Sequence, residues 1–244
     1  MIAALVVAKA FGTLVLAEAE KFLGVPYVGN TLDKDVNNEA VVCREDGLDC
    51  VTFMELSLAR ARAKITGTTV EQEVKTTRYA NLEVSYITRN HYTTSWLVNN
   101  ANAGRINLLF QNNKGAKPAP NQLDFMSTHA DKYPQLKAHP EWIPAIQATE
   151  RELAKTNLKM VPKDRLTSVA KDLRPGDILC FATTVAGLDY SHVALIAGVK
   201  SGRVEFWHAS STQKKVVRDP DLAAYAAKQS KCPGFVFARP IAPR

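Results

Sequence analysis

Apolar residues follow two different patterns along the chain. A helical period in the first third predicts helices at residues 3–23, 50–64 and 69–79. Short apolar runs bounded by turn residues predict strands in the last third, at residues 177–182, 192–199, 203–208 and 234–239. Helices followed by an antiparallel meander indicate an α+β fold, with N-terminal helices packed on a C-terminal antiparallel sheet.

The middle of the chain, residues 81–160, has the weakest pattern. A helical period is present at 95–100 and 143–154, whereas the apolar residues at 84–87 fit either a short strand or the end of a helix. We interpret this part as a largely helical insertion that walls a functional site. The prediction is therefore a single catalytic domain over residues 1–244 with one insertion.

The composition fits a globular enzyme with a full core, because 46% of the residues are hydrophobic and 23% are charged. The formal net charge of +7 favours anionic partners, and nucleic acid, acidic lipid and the carboxylate-rich bacterial wall are the candidates. Lys and Arg are scattered, however, and no basic run interleaves aromatic residues as a strand-binding groove would. The sequence therefore predicts no nucleic-acid partner. The alternative interpretation of the net charge is that it only keeps the protein soluble.

The N-terminal stretch, residues 1–16, is apolar but lacks a basic segment before it, and Lys9 interrupts it. It is too short and too broken for a bilayer span, and it does not have the pattern of an export signal. We therefore predict a packed helix and no membrane span.

Four cysteines are present, at positions 43, 50, 180 and 232. Their spacing contains no C-x-x-C pair, and no histidines stand at metal-ligand spacing, so the sequence predicts neither a metal centre nor a cofactor. If Cys50 stays a free thiol, at most one disulfide can form among Cys43, Cys180 and Cys232.

Cys50 is the first candidate for chemistry, because Asp49 is a suitable N-cap for the helix that begins there. Free N–H groups and the helix dipole at that position favour a thiolate, so we expect a lowered pKa. The N–H of Cys50 could also hold an oxyanion. The alternative is that Cys50 is a small buried hydrophobic residue.

His192 and His208 lie on two neighbouring strands of a predicted hairpin. Neutral His192 could act as a general base, and His208 could accept its proton and fix its tautomer. The two face each other if the loop centres on Lys200. A tight turn at residues 201–202 would instead place Leu195 opposite His208, so the spacing leaves both registers open.

Five motifs occur in order along the chain: GVPY at 24–27, LDCVTFME at 48–55, RPGDI at 174–178, GLDYSHV at 187–193 and HASS at 208–211. In these motifs the chain resembles the NlpC-type papain-fold hydrolases of bacterial cell walls. It resembles their N-acetylmuramoyl-L-alanine amidase-like branch in three further segments, at 89–96, 124–134 and 214–217. The resemblance extends from Phe22 to Arg239.

The resemblance implies a triad of Cys50, His192 and His208, with Tyr27 beside the thiol to help hold the oxyanion. It implies a cysteine hydrolase that cleaves the amide between N-acetylmuramic acid and L-alanine. The substrate would be peptidoglycan or a muropeptide, in the periplasm or elsewhere outside the cytoplasm. The chain departs from the expected pattern in two places, with Met54 before Glu55 where Val is usual and Ala194 where Gly is usual.

Several other residues are candidates for substrate contact. They are His91, Trp96, His129, Asp189 and Ser191, although a core position is the competing interpretation of Trp96. We expect His139 to be a solvated loop residue and Lys214 and Lys215 to lie on a solvated strand edge. Pairing of the two lysines with a substrate carboxylate is the other reading.

Three alternatives to the amidase remain at this level. The same residues could cleave a γ-D-glutamyl-diamino acid bond, and the fold could instead be a wall-binding module without turnover. A structural zinc protein using the cysteines is the third.

Overall fold

The protein is described by a computed structural model, which covers residues 2–33 and 35–243 and the side chains from residue 10 onward within those ranges. The helices are α1 (Ile2–Glu20), α2 (Cys50–Thr66), α3 (Val70–Arg78), α4 (Thr93–Asn102), α5 (Phe125–Thr128), α6 (Pro134–Ala138), α7 (Ile143–Leu153), α8 (Leu166–Val169) and α9 (Leu222–Ala227). The strands are β1 (Ile106–Leu108), β2 (Lys117–Pro118), β3 (Lys159–Pro162), β4 (Ile178–Ala182), β5 (Tyr190–Lys200), β6 (Arg203–Ser210), β7 (Lys215–Asp219) and β8 (Gly234–Pro240).

The strands form one eight-stranded sheet in the order β2-β3-β8-β4-β5-β6-β7, and β1 also pairs with β8. Each strand pair in the described ranges is antiparallel. The fold is therefore a mixed α/β arrangement with an antiparallel sheet and several helices, as the hydrophobic pattern predicts.

Both faces of the central strands are buried. Val193 and Leu195 of β5 belong to the core cluster that α1 and α2 form with the sheet. Ala194 and Ile196, which point to the other face, belong to a second cluster that includes residues of α8 and α9. This explains why β5 reads as a continuous apolar run rather than as an alternating one.

Helix α1 is shorter than predicted, because the chain turns at residues 21–24. The predicted packing of residues 3–9 falls outside the described side chains. No helix in the two described ranges combines the length and apolar character that crossing a membrane requires.

Helix α2 begins where the sequence predicts, because its first turn is closed by side chains. The Asp49 carboxylate accepts a hydrogen bond from the Thr52 N–H at 2.8 Å, and the Thr52 hydroxyl accepts one from the Asp49 N–H at 2.9 Å. The helix ends at Gly67, whose φ of 72° is a left-handed conformation that glycine adopts readily. This capping fixes the position of Cys50 as the first helical residue.

Glu18 joins α1 to α2. Its carboxylate is almost fully buried and contacts Lys21 at 2.8 Å, Arg60 at 2.9 Å and also Lys64. Burial raises the pKa of Glu18, but the hydrogen bonds from the three cations outweigh it and lower the pKa from 4.5 to about 2. The carboxylate therefore stabilises the fold at neutral pH.

Glu18→Gln is expected to destabilise the protein by about 2 kcal/mol at pH 7, since it leaves three cations without their shared anion. The contribution is present above the unfolded-state pKa of 4.5 and is lost as pH falls through about 2. Urea denaturation should therefore show a gap between wild type and variant that narrows below pH 4.5. Glu152→Gln, which breaks an exposed pair with Lys155, is the control. Equal urea midpoints for Glu18→Gln and wild type would contradict this role.

Residues 81–160 are less separate from the sheet than predicted. They have their own hydrophobic cluster, formed by residues such as Tyr92, Met126 and Ile146. They also supply β1, which extends along β8 with Leu108 opposite Ala238, and β2. The prediction of a largely helical insertion missed these strands because each is too short to show a period.

The apolar residues at 84–87 form a turn, so both sequence interpretations of that segment are wrong. The Thr88 hydroxyl donates to the Glu83 carbonyl at 2.6 Å and contacts the Ser85 hydroxyl at 3.1 Å. Such side-chain bonds to nearby backbone stabilise turns at the expense of helix and strand.

Candidate active site

The first residue of α2, Cys50, lies against β5. The N–H groups of Val193, Cys50 and Val51 are directed at its sulfur. Those N–H groups lower the pKa of the thiol, but burial and the charge of Asp49 raise it to about 12. Desolvation of the sulfur therefore exceeds the effect of the helix dipole, which by itself would lower the pKa.

His192 and His208 form a hydrogen-bonded pair. His192 Nε2 lies 2.7 Å from His208 Nδ1, and the two rings are nearly perpendicular. His208 is fully buried, whereas His192 is partly exposed. The bond occupies one nitrogen of His192 and leaves Nδ1 available to another group.

Neither register considered for the hairpin is the observed one. Lys200 pairs with Arg203, which gives the tight turn, but a bulge after Ile196 then shifts the pairing so that Leu195 lies opposite Trp207. A shift of one residue exchanges the two faces of a strand. The bulge therefore brings His192 onto the same face as His208.

Burial lowers the pKa of His192 to about 3, and the neighbouring His208 adds to the effect. Burial also lowers the pKa of His208 to about 4. Both imidazoles are thus neutral at pH 7, and so is the Cys50 thiol. The resting site therefore holds a neutral thiol and neutral imidazoles, not an ion pair.

Alkylation of Cys50 by iodoacetamide is expected to be slow at neutral pH, because only the thiolate reacts and the raised pKa suppresses it. The rate should keep rising with pH to at least about pH 10. Peptide mass mapping of samples quenched at each pH gives the rate for this one cysteine. A rate that is already maximal near pH 7 would mean that the resting thiol is ionised.

Cys50 and His192 line one cavity of about 300 Å³, together with Ser191 and Asp189. No hydrogen bond joins the thiol to either imidazole in the described part of the chain. Hydrogen bonds of this kind often tighten only when the substrate binds.

Tyr27 is held near the thiol by backbone pairing on both sides. The Tyr27 N–H donates to the Lys214 carbonyl at 2.9 Å, and the flanking residues pair with Leu48, two residues before Cys50. Burial raises the Tyr27 pKa, and the charge of a Cys50 thiolate adds to the effect. This pairing covers the backbone edge of β7, while the side chains of Lys214 and Lys215 are exposed to solvent, as predicted.

Asp189 ties the insertion to the sheet. Its carboxylate accepts hydrogen bonds from the N–H of Thr94 at 2.7 Å, in the first turn of α4, and from the Tyr190 N–H at 2.8 Å. Burial raises the Asp189 pKa, and these two bonds lower it in part. Asp189 therefore positions α4 over the cavity as well as lining it.

His91 lines the cavity, whereas two other candidates for substrate contact do not. Trp96 is in the core, where its indole N–H donates to Glu55 at 3.1 Å. His129 stacks on Phe125 outside the cavity. His139 is a partly exposed loop residue, as predicted, and its ring also stacks on Trp142 and contacts two side chains.

Sequence reasoning missed the charged wall of the cavity, which includes Arg78, Arg89 and Glu55. Arg78 donates to Glu55 at 2.7 Å, and Arg89 donates to Asp33 at 2.6 Å. A polar residue at a buried position of α2, such as Glu55, is the signal that could have predicted a buried partner.

Ala194 is on the same strand face as His192 but is buried in the second core cluster and does not line the cavity. Its methyl group therefore does not narrow the site. The four cysteines are all free thiols, and no group of three or more potential metal ligands occurs among the described residues.

Comparison with solved structures finds close neighbours of the whole fold. An N-acetylmuramoyl-L-alanine amidase from Bacteroides uniformis matches with a TM-score of 0.88 and 26% identity over 95% of this chain and 99% of that one. A protein from Bacteroides fragilis, named as a proposed xylanase, matches with a TM-score of 0.81 and 26% identity over 91% and 99%. A Legionella pneumophila protein matches with a TM-score of 0.68 and 20% identity over 95% and 89%, which bears on the fold alone.

Comparison with curated proteins finds no match. One family model matches residues 17–234, which is most of the chain. The chain therefore belongs to the AmiA-like family, whose members are N-acetylmuramoyl-L-alanine amidase-like proteins.

Proposed function

We propose that this protein is a cysteine amidase of peptidoglycan fragments, acting outside the cytoplasm as a single papain-like catalytic domain. The scissile bond is the amide between N-acetylmuramic acid and L-alanine. The observation that carries the proposal is that Cys50 and His192 line a single cavity, while a buried second histidine, His208, is hydrogen-bonded to His192 from behind. Family membership and the amidase neighbour supply the substrate class.

In the reaction, His192 Nδ1 takes the proton of Cys50 as the sulfur attacks the amide carbonyl. Because the resting thiol is neutral, proton transfer and attack occur together. The backbone N–H groups at the start of α2, with the Tyr27 hydroxyl, hold the oxyanion. His192 then protonates the leaving amine of L-alanine, and the thioester forms. Water activated by His192 releases the sugar acid and restores the thiol.

The role of His208 follows from the tautomer that this reaction needs. For Nδ1 of His192 to accept a proton, its Nε2 must carry one and donate it to His208 Nδ1. The proton of His208 then resides on its Nε2, a buried atom with no hydrogen-bond partner among the described residues. His208 thus holds the reactive tautomer and stabilises the imidazolium that forms during attack.

The test is digestion of a defined disaccharide-tetrapeptide followed by mass analysis of the products. The amidase releases the intact disaccharide and the intact tetrapeptide. Cleavage between D-glutamate and the diamino acid would instead leave the sugar attached to a dipeptide. A protein that only binds the wall would release neither product.

A glycoside hydrolase is the rival from another class, since one structural neighbour has a xylanase name. Such an enzyme needs one carboxyl group free as acid and another free as base or nucleophile. In this cavity each carboxylate already accepts hydrogen bonds from the protein, namely Asp33, Asp49, Glu55 and Asp189. Release of reducing sugar from xylan would favour the rival.

A further inference from the structure

Three aromatic rings pack around the histidine pair, and we call them the aromatic enclosure: Phe181 of β4, Phe206 of β6 and Tyr225 of α9. Between ring centroids, Phe181 lies 5.4 Å from His192, and Phe206 lies 5.0 Å from His208. The three rings also contact one another, at 5.2 to 5.9 Å. They do not line the active-site cavity, so they surround the pair from behind.

Tyr225 is the member of the enclosure that contacts both imidazoles. Its ring centroid lies 6.5 Å from that of His192, with the two rings 27° from parallel, and 5.3 Å from that of His208. Phe181 and Phe206 are completely buried, whereas Tyr225 is partly exposed. Tyr225 is therefore the part of the enclosure that faces solvent, and its removal would admit water to the pair.

Helix α9, and not a bond of the phenol, fixes the position of Tyr225. The Asp221 carboxylate accepts from the Ala224 N–H at 3.0 Å, and the Asp221 carbonyl accepts from the Tyr225 N–H at 2.9 Å. Leu222 and Ala226 anchor the helix in the core. The Tyr225 hydroxyl makes no hydrogen bond in the described part of the chain, so we expect the ring to be the functional part.

The environment of the pair acts through burial more than through charge. Burial is the main cause that lowers the pKa of both imidazoles, and His208 adds to it at His192. Other titratable groups face the pair from the cavity side or face Tyr225 from the sheet side, and they are Asp49, Cys50, Asp189, Asp219 and Cys232. Their charges do not contribute to the shift at either imidazole. Exclusion of water by the enclosure therefore sets the charge state.

We propose that Tyr225 is a positioning residue that closes the aromatic enclosure and so keeps His192 able to accept a proton in acidic solution. The inference rests on the proposed function, in which His192 Nδ1 takes the proton of Cys50. An imidazolium cannot accept that proton, and an apolar ring over the imidazole withholds the water that would stabilise the imidazolium. Tyr225 acts through His192 and does not touch the substrate.

The first measurement is an NMR titration of the full-length protein with ¹³C-labelled histidine, in which His192→Gln identifies the His192 signal. In the wild type, His192 is expected to stay neutral from about pH 8 to about pH 5, since its pKa is about 3. Tyr225→Ala should raise the pKa of His192 to about 6, close to its ordinary value, because water reaches the ring. Tyr225→Gln keeps most of the side-chain length but is polar, so it should give the same change and replaces the alanine variant if that does not fold.

The second measurement is kcat/KM on a defined disaccharide-peptide. A pKa of about 6 leaves about a tenth of the imidazole neutral at pH 5, so Tyr225→Ala should be about tenfold slower at pH 5 than at pH 8. The wild type should be about equally fast at both. Tyr225→Phe keeps the ring and should behave as wild type. The control is Phe110→Ala, which removes a partly buried ring that packs on Phe237 in the same core cluster and should leave the pH profile unchanged.

An unchanged His192 titration in both Tyr225→Ala and Tyr225→Gln would overturn the proposal. The same pKa change in Tyr225→Phe or in Phe110→Ala would overturn it too, because the effect would then not belong to the Tyr225 ring. The titration needs no substrate, which separates this proposal from the proposed function. A pKa change without hydrolysis of muropeptides would refute the amidase alone, and hydrolysis without a pKa change would refute the role of Tyr225 alone.

Discussion

Cys50→Ser is expected to lower the rate of muropeptide hydrolysis by about 10⁴-fold or more. The hydroxyl is a weaker acid and a poorer nucleophile than the thiol, and its attack would have to use the same base and the same N–H groups. Burial already raises the pKa of the native thiol to about 12. The same environment would make a hydroxyl at this position even harder to ionise. The measurement is kcat/KM on a defined disaccharide-peptide.

Cys43→Ser is the matched control, since Cys43 is also a free, half-buried thiol but does not line the cavity. It should keep the wild-type rate. Retention of hydrolysis by Cys50→Ser, or equal losses in both variants, would contradict the assignment of the nucleophile.

His192→Gln is expected to reduce hydrolysis at pH 7 by about 10³- to 10⁴-fold, within the range of general-base catalysis. Without the base, attack depends on thiolate that forms unaided. A pKa of about 12 leaves about one thiol in 10⁵ ionised at pH 7. The residual rate should therefore rise about tenfold for each pH unit, whereas the wild-type rate should change little between about pH 5 and pH 9.

The control is His129→Gln, because His129 stacks on Phe125 outside the cavity. It should have the wild-type rate and pH profile. If His192→Gln had a flat pH profile, or if the wild type lost activity near pH 6.5, the neutral resting pair would be the wrong description.

The sequence predicts the elements that carry the site, because local signals determine them. Asp49 and Thr52 close the start of α2, and the turn at Ser201 and Gly202 is present where it is expected. The alternating faces of the hairpin depend on a bulge between Ile196 and Gly198, and a glycine inside a strand signals a bulge but does not give the register that results. The contact between His192 and His208 therefore had to be read from the structure.

The protonation state of the site could not be predicted from residue order. A helix start favours thiolate, but the depth of burial of Cys50 depends on how β5 packs against α2. The charged wall of the cavity could not be predicted from residue order either. Arg78 and Glu55 are far apart in sequence, and their pairing depends on how α3 packs on α2. Sequence patterns report local conformation well and long-range packing poorly.

The central claim is that Cys50 carries the acyl group of N-acetylmuramic acid during turnover. Rapid acid quench of enzyme and muropeptide, followed by peptide mass mapping, measures this directly. We expect the peptide that contains Cys50 to gain the mass of the sugar acid less one water, without the stem peptide. Stem-peptide mass on Cys50 would contradict the account. Full turnover by a Cys50→Ala variant, which has no thiol to acylate, would contradict it as well.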